Sequence, residues 1–343
     1  FWLESLVLRV DGLLLLLFIG LNLWRGNVAR LTLADIAPAF AALIALGLGL
    51  LLALRLVMRD WQKAGWGLTS LVAISLFSAP LITRWSSTTA QGAGLAIAVL
   101  AMGVALVAIG RSTRDWSPST KAANAVLLIV ATITSAQLGW HQINAPTITP
   151  APVIYPTPAL KPAANAPDVW HIVLDRYASA ATLGRVYSFD NRPFLTALEQ
   201  RGFKVRHDAY SNYQRTAHSL TSTLNYDYLD PVAQHGRARG SDWRTLYAAL
   251  GDNRVMRGFA AAGYETHYMG SWWNPTRESP VAAANHSFRS LPEFGRALIE
   301  TSLIGVGLKL FGLPFGDSRH DQCLRVRDQF DTLTALGAQG RRK

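Results

Sequence analysis

Residues 167–175 read PDVWHIVLD, and what this stretch forms decides the fold of everything after it. Val169 to Leu174 is a nearly continuous apolar run, which predicts a central strand buried on both faces, with Asp175 where that strand ends. A carboxylate at the carboxyl end of such a strand points into the crevice where open α/β sheets bind ligands, so Asp175 is a candidate metal ligand. By itself an aspartate after a strand is more often a turn or helix cap.

Downstream, FDNRPFLTALEQRGFKVRHDAYSN (189–212) predicts a helix from about Pro193 to Arg201, a stop at Gly202 and a second strand around Phe203 to Arg206. SNYQRTAHSLTSTLN, from Ser211 to Asn225, then runs from a loop into a helix with Thr216 at or near its N-terminus. Free backbone N–H groups and the helix dipole favour an anion there, and a hydroxyl in that place can attack phosphorus. Thr216 or Ser219 as a plain N-cap is the competing reading. Further on, LGDNRVMRGFAAAGYETHYMGSWW (250–273) predicts a helix, a strand from Glu265 to Met269 and a glycine turn.

Upstream, residues 145–167 read APTITPAPVIYPTPALKPAANAP. Prolines every few residues remove backbone donors and fix φ, which predicts an extended, semi-rigid spacer and a domain boundary. The alternative is an irregular segment whose Val153, Ile154 and Tyr155 dock on a surface.

Before that linker the chain reads as membrane. Half of its 343 residues are hydrophobic and 16% are charged, and the charges are sparse in residues 1–144. Five stretches approach the roughly 20 apolar residues needed to cross the hydrocarbon core. They are about Val10–Trp24, Ile36–Met58, Gly65–Thr83, Gly92–Ile109 and Ala123–Trp140, with Arg9 and Asp11 blurring the start of the first. Trp24, Trp61, Trp66, Trp85 and Trp140 lie near their ends, at headgroup level. Arg55, Arg59 and Lys63 follow the second, and Arg111, Arg114 and Lys121 follow the fourth, which makes these two connections cytoplasmic. Arg25 and Arg30 argue weakly the other way. The expectation is a multi-pass protein of the bacterial inner (cytoplasmic) membrane, with everything after Trp140 periplasmic or extracellular. The net charge of +11 is dispersed or serves as a topology signal, which speaks against a nucleic-acid partner. One cysteine, Cys323, excludes an internal disulfide framework or a cysteine-rich metal site.

PDVWHIVLD, the helix and strand ending in GFKV, and SNYQRTAHSLTSTLN together resemble the start of the catalytic domain in the alkaline phosphatase superfamily. The likeness is to its sulfatase-like membrane hydrolases and transferases, among them lipoteichoic acid synthases and lipid A phosphoethanolamine transferases. It covers residues 168 to about 290, and the membrane half by layout alone. It implies a helical transmembrane bundle of about five helices (1–144), a proline-rich linker (145–167), and an incomplete extracytoplasmic α/β domain of alkaline phosphatase type (168–343).

The resemblance also implies roles. Asp175 occupies the acidic metal-ligand position, and Thr216 the nucleophile position, where it also ligates the metal. Arg215 and Asn212 are candidates for touching the phosphate. The cofactor is a divalent cation, Mn, Zn, Mg or Ca, which would activate the Thr216 hydroxyl and give a covalent phospho-threonine resolved by a second acceptor. Partners are the lipid bilayer and a lipid-linked or envelope-glycan substrate. Sulfatases carry Cys-x-Pro-Ser-Arg where this chain has Thr216, Ala217, His218, Ser219 and Leu220. Threonine cannot become formylglycine, so phosphorus chemistry is expected over sulfuric-ester hydrolysis. Asp175 is followed by Arg176 rather than a second aspartate, which implies fewer metal ligands.

The remaining family ligands, an Asp-His pair and further histidines, have no counterpart after His286. His320-Asp321 has the letters reversed, in the charged stretch RHDQCLRVRDQF. The expectation is therefore a fragment, inactive although its parent is an enzyme, with a non-catalytic binding domain as the alternative. His171, inside the expected strand, is expected to be packed or satisfied and His218 has no clear role; neither is expected to be a ligand. Residues 301–316, TSLIGVGLKLFGLPFG, are apolar but too short to span; they predict either a helix packed on the protein or one resting on the bilayer. A transporter is disfavoured, since the five stretches lack midspan charge.

Overall fold

The computed structural model describes residues 11–144, 148, 150–161, 166–175, 177–235, 242–288, 291–313 and 318–339, excepting the side chains of residues 235 and 318–321. The expectations that rest on residues 1–10, Arg176, much of the proline-rich linker and the His320-Asp321 side chains lie outside the described residues.

Among the described residues, five helices form the first half: α1 (Asp11–Arg25), α2 (Leu33–Met58), α3 (Trp61–Ile82), α4 (Thr88–Arg111) and α5 (Ser117–Asn144). The last four are long and apolar enough to cross a membrane. α1 runs for 15 residues within the described part and packs against α2, α3 and α5. Starts and stops follow local chemistry. Thr32 and Asp35 form a reciprocal capping box at α2, the Thr32 N–H donating to Asp35 at 2.8 Å. The Asp60 carboxylate caps α3 by accepting from the N–H groups of Gln62 and Lys63 at 2.7 and 3.0 Å. Gly94 lets α4 approach the end of α3 closely, since a Cβ there would sit 2.9 Å from Ile82 Cγ1 and 2.5 Å from the Trp85 ring just beyond it. Outward faces are apolar, with Phe77, Ile97 and Leu100 each about two-thirds or more exposed, as a lipid-facing surface requires. Trp66 donates to Thr120 at 2.8 Å and Lys63 to the Gly110 carbonyl at 3.0 Å, tying the basic ends of α3, α4 and α5 together.

The second half is mostly helical. Its elements are α6 (Ala151–Ile154), α7 (Ala180–Tyr187), α8 (Arg192–Glu199), α9 (Thr216–Asn225), α10 (Asp230–His235), α11 (Arg244–Gly251) and α12 (Arg254–Ala261). Strand β1 (His267–Met269) follows, then β2 (Ala284–His286), α13 (Glu293–Glu300), α14 (Leu303–Leu310) and α15 (Ser318–Ala338). β1 and β2 pair in parallel, His267 opposite Ala284 and Met269 opposite His286. This is the only sheet among the described residues. An α/β domain of alkaline phosphatase type thus rests on the resemblance alone.

Three local expectations need correction. Residues 169–174 are irregular chain rather than a buried central strand, with Val169, Ile172 and Val173 about half exposed. A strand exists only through its ladder, and β1 is paired to β2 alone. Residues 203–206 are likewise irregular, although the preceding helix α8 and the Gly202 stop (φ 88°) fall where expected. In its described part, residues 150–161, the linker is docked rather than free-standing, as the alternative reading had it, although Val153 stays exposed. Ala151, Ile154 and Tyr155 are buried against Ala217, Val232, Leu246 and Ala249, and this cluster is the core of the second half.

That core fixes α9 against α11 and α12. Asn225, fully buried at the end of α9, donates to the carbonyls of Thr221 (2.8 Å) and Ala249 (3.0 Å) and accepts from the Arg254 N–H (2.9 Å). One amide thereby joins three helices. The two halves meet where Phe294 of α13 packs with Trp24, Leu31, Ile36 and Leu138. Trp243 adds a backbone bond to the Ala29 carbonyl at 3.1 Å.

Candidate active site

Thr216 is the first residue of α9, whose preceding residue, Arg215, makes no side-chain cap bond. The helix therefore presents its first-turn N–H groups and the positive end of its dipole without a capping side chain. The Thr216 hydroxyl lies 3.5 Å from Asp175 Oδ1, across 41 residues of chain. This is long for a hydrogen bond but direct. Both residues face a cleft of about 1060 Å³, whose wall also includes His171, Leu174, Arg215 and Phe330. The strand expected before Asp175 is absent, yet the structure brings its carboxylate and the Thr216 hydroxyl side by side.

The two remaining candidates are placed differently. Asn212 donates to Ser222 Oγ at 2.6 Å and accepts from Ser219 Oγ at 3.2 Å, so both ends of its amide hold the loop to α9. A phosphate contact by Asn212 requires exchanging these bonds. Arg215 lies over the Trp243 ring at 5.0 Å, and Arg30, from the α1–α2 connection, is 5.4 Å from the same ring. Cation–π attraction pins the Arg215 guanidinium at the cleft wall without neutralising it. His218 meets Trp243 edge-on at 4.9 Å. Burial, then the nearby Arg215 charge, pushes its pKa down, whereas His171, expected to be packed or satisfied, is exposed.

A donor set of a carboxylate and a hydroxyl suits a hard divalent cation. Two cis ligands at about 2.3–2.6 Å from such an ion lie roughly 3.3–3.7 Å apart, which brackets the 3.5 Å observed between Asp175 and Thr216. The pair fits as part of a cation site. Among the described residues no group of three His, Cys, Asp or Glu side chains could hold a metal, so any further ligands come from elsewhere.

One pair escaped the sequence reading. His267 Nδ1 and His286 Nε2 are 2.9 Å apart on the neighbouring strands, with the rings stacked at 5.2 Å, and Glu265 is 3.4 Å from the outer nitrogen of His267. Burial, then the neighbouring His267, pushes the His286 pKa down, with Asp328 pulling weakly the other way. β2 is three residues long, too short for alternation to reveal it, and only the parallel pairing brings the rings together. Comparison of the chain with family models, with curated proteins and with solved structures found no match.

Proposed function

We propose that this chain carries the nucleophile-bearing part of a membrane-anchored, metal-dependent phosphoryl-group transferase or hydrolase of the sulfatase-like kind. Its substrate is an envelope lipid or glycan bearing a phosphodiester. The observation that carries the reading is the approach of Thr216 Oγ1 to Asp175 Oδ1 at a helix N-terminus that opens on a cleft.

Thr216 bonds to phosphorus through its Oγ, giving up its proton to the nearest acceptor, Asp175 Oδ1. The bond from phosphorus to the leaving alcohol breaks, and that oxygen takes up a proton. A second hydroxyl, from water or an acceptor, then displaces Thr216 by the reverse sequence. The first-turn N–H groups of α9 and the Arg215 guanidinium stand where charge grows on the phosphoryl oxygens. A divalent cation held by Asp175 and Thr216 supplies, when bound, Lewis acidity toward those oxygens.

The basic connections support the orientation. Arg55, Arg59, Lys63, Arg111 and Arg114 lie at the helix ends opposite those that meet Phe294 of the second half, which supports a cleft outside the cytoplasm.

A second reading, a non-catalytic binding domain, draws on the lack of a third ligand among the described residues. Titration of the full chain in nanodiscs with Mn²⁺, followed by electron paramagnetic resonance, separates the two. The enzymatic reading expects a saturable site that Asp175→Asn abolishes and Thr216→Ala weakens. Undiminished binding by Asp175→Asn, or no saturable site at all, overturns it.

A further inference from the structure

α14 has eight residues, about 12 Å at 1.5 Å per residue, and cannot span a hydrocarbon core of roughly 30 Å. Its inward face is settled by contacts. Leu303 and Val306 are buried with Ala79 and Ile82 of α3 and Ala98 of α4, and Leu95, Met102 and Leu310 pack around them. The Leu303 N–H, otherwise an orphan at the helix start, donates to Ser75 Oγ at 3.0 Å. Ser75 precedes Ile82, the last residue of α3, by seven residues. At 1.5 Å per residue this is about 10 Å below the end of that membrane helix. In-plane amphipathic helices sit about 5–10 Å into the headgroup and acyl boundary, so the start of α14 is at that depth.

The outward face is apolar as well. Ile304 and Phe311 are one heptad apart on the same side, 56% and 75% exposed, with Leu308 between them. Leu313 extends the patch just beyond the helix. On the membrane helices it leans on, Phe77, Leu81, Ile97 and Leu100 form the exposed apolar surface. Lys309, exposed in the last turn, is the one charge on α14, and its flexible stem lets the ammonium reach the headgroups.

We infer that α14 is a membrane-embedded anchor: it enters the leaflet beside α3 and α4, stops short of spanning, and presents Ile304, Leu308 and Phe311 to lipid acyl chains. The partner of this surface is the bilayer itself. α13 and α15 flank the helix, so the anchor seats the second half of the chain on the membrane surface independently of the linker.

The single cysteine makes the test direct. In a Cys323→Ser background, the full chain carries nitroxide labels at Ile304→Cys or Phe311→Cys, with Ile97→Cys as a lipid reference and Tyr210→Cys, 94% exposed, as a water reference. Power saturation in lipid nanodiscs compares collision with oxygen and with a water-soluble nickel chelate. The inference expects positions 304 and 311 to match the lipid reference, with oxygen access exceeding chelate access. Chelate access equal to that at position 210 overturns it. Protection from both agents also overturns it, since a protein surface then covers the face.

Discussion

The Arg257 guanidinium donates from Nη2 to the Tyr155 carbonyl at 2.5 Å, joining positions 102 residues apart in the chain. The same group reaches Thr157 Oγ1 at 3.3 Å and pairs with Asp252 at 3.0 Å, and Arg257 is 8% exposed. A proline-rich segment has few donors of its own, so a buried arginine on α12 satisfies the acceptors that the linker turns inward. Arg257→Ala leaves Asp252 and the Tyr155 carbonyl without this partner. The expected cost is about 2–4 kcal/mol, read as a lowered thermal midpoint of the full chain. A change under about 0.5 kcal/mol means that the linker is held by its apolar contacts alone.

Asn225 supports the site through α9. Its replacement by alanine orphans the Ala249 carbonyl and the Arg254 N–H inside the protein. The expected loss is about 1–3 kcal/mol of stability. Asn225→Asp, protonated below its carboxyl pKa, keeps an acceptor for the Arg254 N–H but has one O–H donor for the two carbonyls of Thr221 and Ala249, and should fall there between wild type and Asn225→Ala. Denaturant melts of the three proteins measure the order.

How far these features could be read from the letters differs by element. The four long apolar helices were legible because periodic or continuous hydrophobicity over 20 or more residues leaves few alternatives. The α8 helix with its Gly202 stop, and the α9 start at Thr216, were legible from local chemistry, whose signal spans only a few residues. Residues 169–174 were not. An apolar run of strand composition fixes its conformation only through a neighbouring strand, and no such partner is encoded within the run. The docking of Tyr155 was open as an alternative, but its partner Arg257 was hidden, because it lies 102 residues further along the chain. Asp175 and Thr216 were paired by the family resemblance alone, whereas the His267–His286 contact needs the β1–β2 register.

The histidines set a pH dependence. Both His218 and His286 are held below their ordinary pKa by burial. Between the depressed folded value and the unfolded value of about 6.5, the unfolded chain binds more protons than the folded one. Stability from these groups is therefore full above about pH 6.5 and lost as the pH falls through the folded pKa values. Thermal midpoints between pH 7.5 and 5 should decline. His286→Gln, which cannot charge, should decline less steeply, and an identical slope in the variant contradicts the assignment.

Thr216 separates function from folding. It is the first residue of α9, not its cap, so Thr216→Ala should change stability by no more than about 0.5 kcal/mol. Any functional loss in that variant then reports chemistry rather than unfolding.

The claim on which the account turns is that Thr216 is the nucleophile toward a phosphodiester. Intact-mass spectrometry of the full-length protein, incubated with Mn²⁺ in nanodiscs of phosphatidylglycerol and phosphatidylethanolamine and acid-quenched, tests it most directly. The account expects a headgroup-phosphate adduct that maps to Thr216, is absent from Thr216→Ala and is strongly reduced in Asp175→Asn. An unmodified mass, or an adduct that persists in Thr216→Ala, contradicts it.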